Sequence, residues 1–96
     1  MDTKIKVRND PSSGRYEAMA GDRVIGELAY ERQGSRATFW HTSVDPEFQG
    51  HGVGEAVVRA ALDDLVANGM TLTSYCSFVT EFIADNPGYA TLLDPA

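Results

Sequence analysis

Residues 44–65 read VDPEFQGHGVGEAVVRAALDDL, with Gly50, Gly52 and Gly54 directly ahead of the most regular helical pattern in the chain. Glycine weakens both helix and strand, because it loses the most freedom on folding. Three of them here serve either a tight turn or a ligand that lies against bare backbone. Over residues 53–68 the apolar residues Val53, Val57, Val58, Ala61, Leu62, Leu65 and Val66 recur at three- and four-residue steps. That spacing predicts an amphipathic helix. Glu55, Arg59, Asp63 and Asp64 fall on its polar side, and Gly69 follows Asn68 where a left-handed helix stop is expected.

Upstream the period is two rather than 3.6. Ile5 and Val7 alternate within residues 3–9, and residues 10–14, DPSSG, form a turn cluster. Tyr16, Ala18 and Ala20 share a face, and Gly21–Asp22 suits a two-residue hairpin. The next run sets Val24, Leu28 and Tyr30 together, and a turn near Gln33, Gly34 and Ser35 leads into RATFWHTSV. Four antiparallel strands are predicted. His41 is expected on the face of Phe39, and Trp40 in a strand covered by a helix. Downstream, residues 70–76, MTLTSYC, read as a fifth strand. Because a helix separates it from the fourth, those two should run parallel through a right-handed crossover. Residues 77–85 read as a second helix capped by Ser77, with Phe78, Phe82 and Ile83 inward, and NPGYATLL as a short closing turn. The fold class is therefore α/β, β-β-β-β-α-β-α, an antiparallel meander followed by one parallel βαβ unit.

The 96 residues suit a single domain spanning 1–96. A net charge of -6 argues against binding nucleic acid through phosphates and against an anionic membrane surface, and mildly favours a cationic substrate. One cysteine, Cys76, cannot form an internal disulfide, and no apolar run approaches a membrane span. With no apolar leader pattern in MDTKIKVRND, the expected location is cytoplasmic.

A loop entering a helix offers free N–H groups and the positive end of the helix dipole, so QGHGVG suits a pyrophosphate. A nucleotide P-loop requires Lys and then Ser or Thr after its last glycine, whereas Glu55 and Ala56 follow here. A dinucleotide fold requires more parallel sheet than the remaining chain can supply.

QGHGVG resembles the Gln/Arg-x-x-Gly-x-Gly/Ala motif of the GNAT superfamily of acyl-CoA-dependent N-acetyltransferases. HTSVDPEFQGHGVGEAVVRAALD followed by YCSFVTEFIADNPGYATLL is similar to its small stand-alone YjdJ-type group, over residues 16–93. Gln49 stands where Arg is commoner, and Asn86 where that group often has His. The resemblance implies that acetyl-CoA is held by Val44, Gln49, Gly50, His51, Gly52, Val53, Gly54 and Glu55. It also implies an acetyl thioester where the fourth and fifth strands part, and an amine acceptor. Cys76 is then a residue lining the thioester or a nucleophile that takes the acetyl group, His41 a base, and Tyr89 an acid for the leaving thiolate. His41, His51 and Cys76 have no metal-ligand spacing, so no metal is expected. The rival reading is a CoA-binding or protein-interaction module with little or no transfer.

Overall fold

The structure, a computed structural model, describes residues 5–93; Thr3 and Lys4 of the first predicted strand lie outside the described residues. Five strands, β1 (Ile5–Asp10), β2 (Arg15–Ala20), β3 (Arg23–Gln33), β4 (Arg36–Val44) and β5 (Thr71–Ser74), form one sheet in sequence order. The first four are antiparallel and β5 runs parallel to β4. Helix α1 (Val53–Ala67) joins β4 to β5, and helix α2 (Ser77–Asp85) follows, closed by a 3-10 turn at Pro87–Leu92. The predicted order and strand directions stand.

Both helices pack on one face of the sheet. Helix α1 lies across β1 to β4, and α2 lies beside it over β4 and β5. Between the layers sit Leu28, Phe39, Val57, Val58, Leu62, Leu72 and Val79, each fully buried. Burial of this apolar area is the main force joining the layers. Among the described residues no helix covers the other face. Helix α1 stops as its sequence predicts: Gly69 takes a φ of +63°, its N–H donates to Val66 O, and the N–H of Met70 donates to Leu65 O. Those two bonds satisfy carbonyls that the last turn would otherwise leave open. Val66 departs from the predicted stripe and is exposed, since it lies past the edge of the Leu62–Leu65 ridge.

Two β-bulges change which residues face the core. In the β2–β3 pair, Ala18 opposes Gly26 and Met19 opposes Val24, so Ile25 is the extra residue. Ile25 therefore turns inward, and Val24, predicted inward, is 38% exposed. In the β3–β4 pair, Tyr30 opposes Phe39 and Ala29 opposes His41, which leaves Trp40 extra. A bulge sets two residues against one and resets the alternation beyond it. Trp40 and His41 thus both lie on the outer face with Ala29. Thr42, opposite buried Leu28, takes the inward place expected for His41. Trp40, predicted beneath a helix, is 45% exposed.

Tyr16 ties the layers together by donating a hydrogen bond to Asp64 Oδ2 at 2.7 Å. Burial first, and that bond second, raise its pKa above the ordinary tyrosine value. Its stabilising contribution is therefore complete below about pH 10 and falls as pH rises further, because the unfolded chain ionises first. Tyr16→Phe should lower stability by about 1 kcal/mol at neutral pH. Its thermal midpoint should fall less steeply than wild type between pH 10 and 11, as scanning calorimetry can check.

Candidate functional site

The turn between β4 and α1 is built from its first residue. Asp45 accepts from the N–H of Glu47 at 3.0 Å and opens a 3-10 turn, Pro46–Phe48. Its own N–H donates to Ile25 O at 2.8 Å. Arg23, at the start of β3, donates to Asp45 Oδ2 at 2.7 Å and to Glu47 Oε2 at 3.2 Å, and its guanidinium lies over the Phe48 ring. The Glu47 N–H, then the Arg23 guanidinium, hold the Asp45 carboxyl below its usual pKa.

The glycines then divide their work. Gly50 and Gly52 have φ of +83° and +75°, a region that residues with a Cβ enter only under strain. Gly52 is the N-cap of α1, and no side chain caps that helix. Gly54 serves a different purpose. A Cβ on it would stand 2.9 Å from Cζ of Phe78, so its missing side chain lets α2 pack against α1.

A cavity of about 280 Å³ opens at this helix start, lined by Val44, Phe48, Gln49, Gly50, Gly52, Val53, Gly54, Glu55 and Phe78. Seven of the eight residues predicted to hold a cofactor line it; His51 is exposed and does not. Phe48 and Phe78 were missed. Phe78 was expected inward, but Val79 holds that place and Phe78 lies on the flank of α2 against Gly54. An uncapped helix N-terminus facing such a cavity suits an anionic group.

Cys76 sits nearby. It is the N-cap of α2, the position expected for Ser77, and is 6% exposed. Its carbonyl accepts from Thr80 N, Thr80 Oγ1 and Ser74 Oγ, which fixes its backbone. Its Sγ is 3.3 Å from Thr42 Oγ1. Thr42 and Val44 share the inward face of β4, so Thr42, which the thiol touches, lies one two-residue step, about 7 Å, along the strand from Val44 in the cavity wall. Strands β4 and β5 pair only as far as Phe39 and Ser74, with one further bond from Tyr75 N to Phe39 O. Beyond it, residues 40–44 have no strand partner on the β5 side among the described residues.

The other two predicted catalytic residues lie apart from this thiol. His41 is exposed on the outer face, and the sheet separates it from Cys76 except through the gap where the strands part. Tyr89, predicted beside the thioester, stands at the far end of α2. It donates to Asp63 Oδ1 at 2.6 Å, and that bond is the main cause of its raised pKa. Asp63 is nine residues along α1 from Gly54, about 13 Å. Tyr89 lines a separate cavity of about 540 Å³ with Asp63, Val66 and Asp85. Arg59 is held at the same end, over Phe82 and toward Asn86.

A meander feeding one parallel βαβ unit, with a glycine turn and an anion-suited cavity at the helix start, is the arrangement of a GNAT-like α/β domain. Residues 15–92 match the family model for GCN5-related N-acetyltransferases, and the chain belongs to that family. Among relatives, it is 31% identical over 87 residues to Protein NATD1 of Bos taurus, covering 86% of this chain and 75% of that one. It is 26% identical over 87 residues to Protein NATD1 of Homo sapiens, with 86% and 75% covered. Its backbone is similar to that of a GCN5-like protein from Staphylococcus aureus, with a TM-score of 0.69, 20% identity, and 98% and 90% of the two chains covered. It is also similar to the ribosomal-protein-S18-alanine N-acetyltransferase of Escherichia coli, with a TM-score of 0.58 and 21% identity over 62% of this chain. The chain spans 39% of that enzyme.

Proposed function

We propose that this chain binds acetyl-CoA with the pyrophosphate in the glycine-turn cavity and the thioester beside Thr42 and Cys76, and transfers the acetyl group to an amine. The observation that carries this reading is continuity: one face of β4 leads from the cavity wall at Val44 to the Thr42–Cys76 contact, just where β5 departs. The N–H groups at the start of α1 hold the phosphates. Thr42 and Cys76 line the acyl end. His41 receives the proton of an acceptor that enters from the outer face. The nitrogen of the neutral amine bonds to the acetyl carbon, the carbon–sulfur bond breaks, and sulfur leaves with its electron pair and takes up the proton that the attacking nitrogen sheds, ending as a thiol. Tyr89 is given no part in this proposal, because it follows the far end of α2 from Cys76 and its hydroxyl is held by Asp63. Membership of the small YjdJ-type group, supported by the His41-Thr42 and Tyr75-Cys76 pairs, and a cytoplasmic setting belong to the same proposal.

The test is acetyl-CoA turnover across a panel of amines, beside calorimetry with CoA. Cys76→Ala is expected to reduce turnover at least tenfold while keeping CoA affinity, and no acetyl mass should accumulate on Cys76 without acceptor. Direct attack on a positioned thioester needs no enzyme nucleophile. A labile acetyl adduct on Cys76 that amine discharges would replace direct transfer with a relay. CoA binding without turnover on any amine would favour the rival binding module.

Glu55 supplies a sharper check of where the phosphates sit. Its carboxylate lines the cavity, 3.4 Å from where a Cβ on Gly52 would stand. A phosphate there meets like charge. Glu55→Gln should tighten CoA binding about three- to fivefold. It should also lower stability by about 0.3–1 kcal/mol, because an acid in the first turn complements the helix dipole.

A further inference from the structure

The outer face carries one feature that the acetyl-CoA side does not use. Trp40 and Tyr75 stack there with ring centroids 5.0 Å apart and planes 10° from parallel. They are 45% and 67% exposed. Exposed aromatic area of this kind gains nothing for the core, and it stands where β4 and β5 part. The bulge that makes Trp40 the extra residue of β4 is what turns it outward, together with His41. Opposite them stands Ala29, whose small side chain leaves the floor low. Glu31, two residues further along the same face of β3 and opposite Thr38, is exposed and joins none of the ion pairs among the described residues.

We infer that the Trp40–Tyr75 stack is the landing platform for the acceptor, and that the acceptor arrives as a cationic alkylamine; this rests on the acetyltransferase reading above. The π faces of indole and phenol attract an ammonium group, and Glu31 supplies the complementary charge. The net charge of -6 draws cations to the whole surface. His41, next in sequence to Trp40 and on the same face, is placed to take the proton that the ammonium must lose before attack. Arg15, opposite Ala29 on the β2 side of the same face, is paired with Glu27, so the carboxylate left for an acceptor beside the stack is that of Glu31.

The chain has a single tryptophan, so its indole N–H resonance reports on this platform alone. The full chain, without acetyl-CoA, is titrated with n-butylammonium chloride, with sodium chloride at equal ionic strength, and with n-butanol. A saturable shift of the Trp40 resonance is expected with butylammonium only. Tyr75→Ala and Glu31→Gln, both exposed positions, should each weaken that binding about two- to fivefold. In turnover the same variants should raise the acceptor KM by a similar factor and leave CoA affinity unchanged. An equal response to butanol, or none to butylammonium, overturns the platform even where CoA binds normally. An ammonium-specific shift in a chain that binds no CoA supports the platform and removes the acetyl-CoA reading instead.

Discussion

Gly52→Val is expected to bind CoA at least about tenfold more weakly than wild type while keeping the sheet intact. Gly52 is the N-cap of α1 with φ of +75° and ψ of 16°. A side chain in the left-handed region costs about 1–2 kcal/mol, and a β-branched one is a true outlier there. The local way to relieve that strain is to rotate the 52–53 peptide. That rotation turns the first N–H groups of α1 away from the cavity. The same cost of about 1.4 kcal/mol, expressed in binding, is a factor of ten. Calorimetry with CoA measures it, and circular dichroism confirms the fold. Gly88→Ala is the control: a Cβ there meets nothing within 4 Å, and Gly88 lines the other cavity. A folded Gly52→Val chain with wild-type CoA affinity would remove the glycine turn from the binding site.

Gly54→Val should fail for a different reason, and the difference is measurable. The added side chain meets the Phe78 ring, with Cβ alone at 2.9 Å from Cζ and 3.3 Å from Cε1. Overpacking of this kind costs about 1–3 kcal/mol. Phe78 is 36% exposed, so its ring can swing outward, but in doing so it opens one wall of the cavity. The expected result is a chain that is less stable and also binds CoA more weakly. Phe78→Ala in the Gly54→Val background should recover most of the lost stability, because the clash disappears. CoA affinity should stay low, because the wall remains absent. The double-mutant cycle therefore shows strong coupling in stability. Strictly additive stabilities would mean that the two helices do not meet at Gly54. It follows that loss of CoA binding in Gly54→Val alone says little about contact with phosphate, whereas Gly52 gives a clean reading.

The order of elements and the position of the glycine-turn cavity were legible in the sequence because local rules govern them. A two-residue period, then a 3.6-residue stripe, distinguishes β1–β4 from α1. Gly21, Gly34, Gly52 and Gly69 stand where the backbone needs a positive φ, and each of those needs arises from the chain's immediate neighbours. The cavity follows from the same local logic, since a glycine turn entering an uncapped helix leaves N–H groups facing outward.

Only the tertiary structure decided which face each side chain takes beyond a bulge. Ile25 and Trp40 are single extra residues, and nothing in RVIGELAYER or RATFWHTSV marks them as such. A bulge arises from how a strand matches its partner, so periodicity within one strand cannot reveal it. One such residue moved His41 to the open face, brought Thr42 to Cys76 and exposed Trp40. Tyr89 and Phe78 illustrate the same limit over a longer range. The length and packing of α2 carried Tyr89 to Asp63, 26 residues away in sequence, and laid Phe78 on Gly54. Contacts between distant segments depend on how whole elements pack, and that packing is settled by the burial of the shared core rather than by the residues on either side.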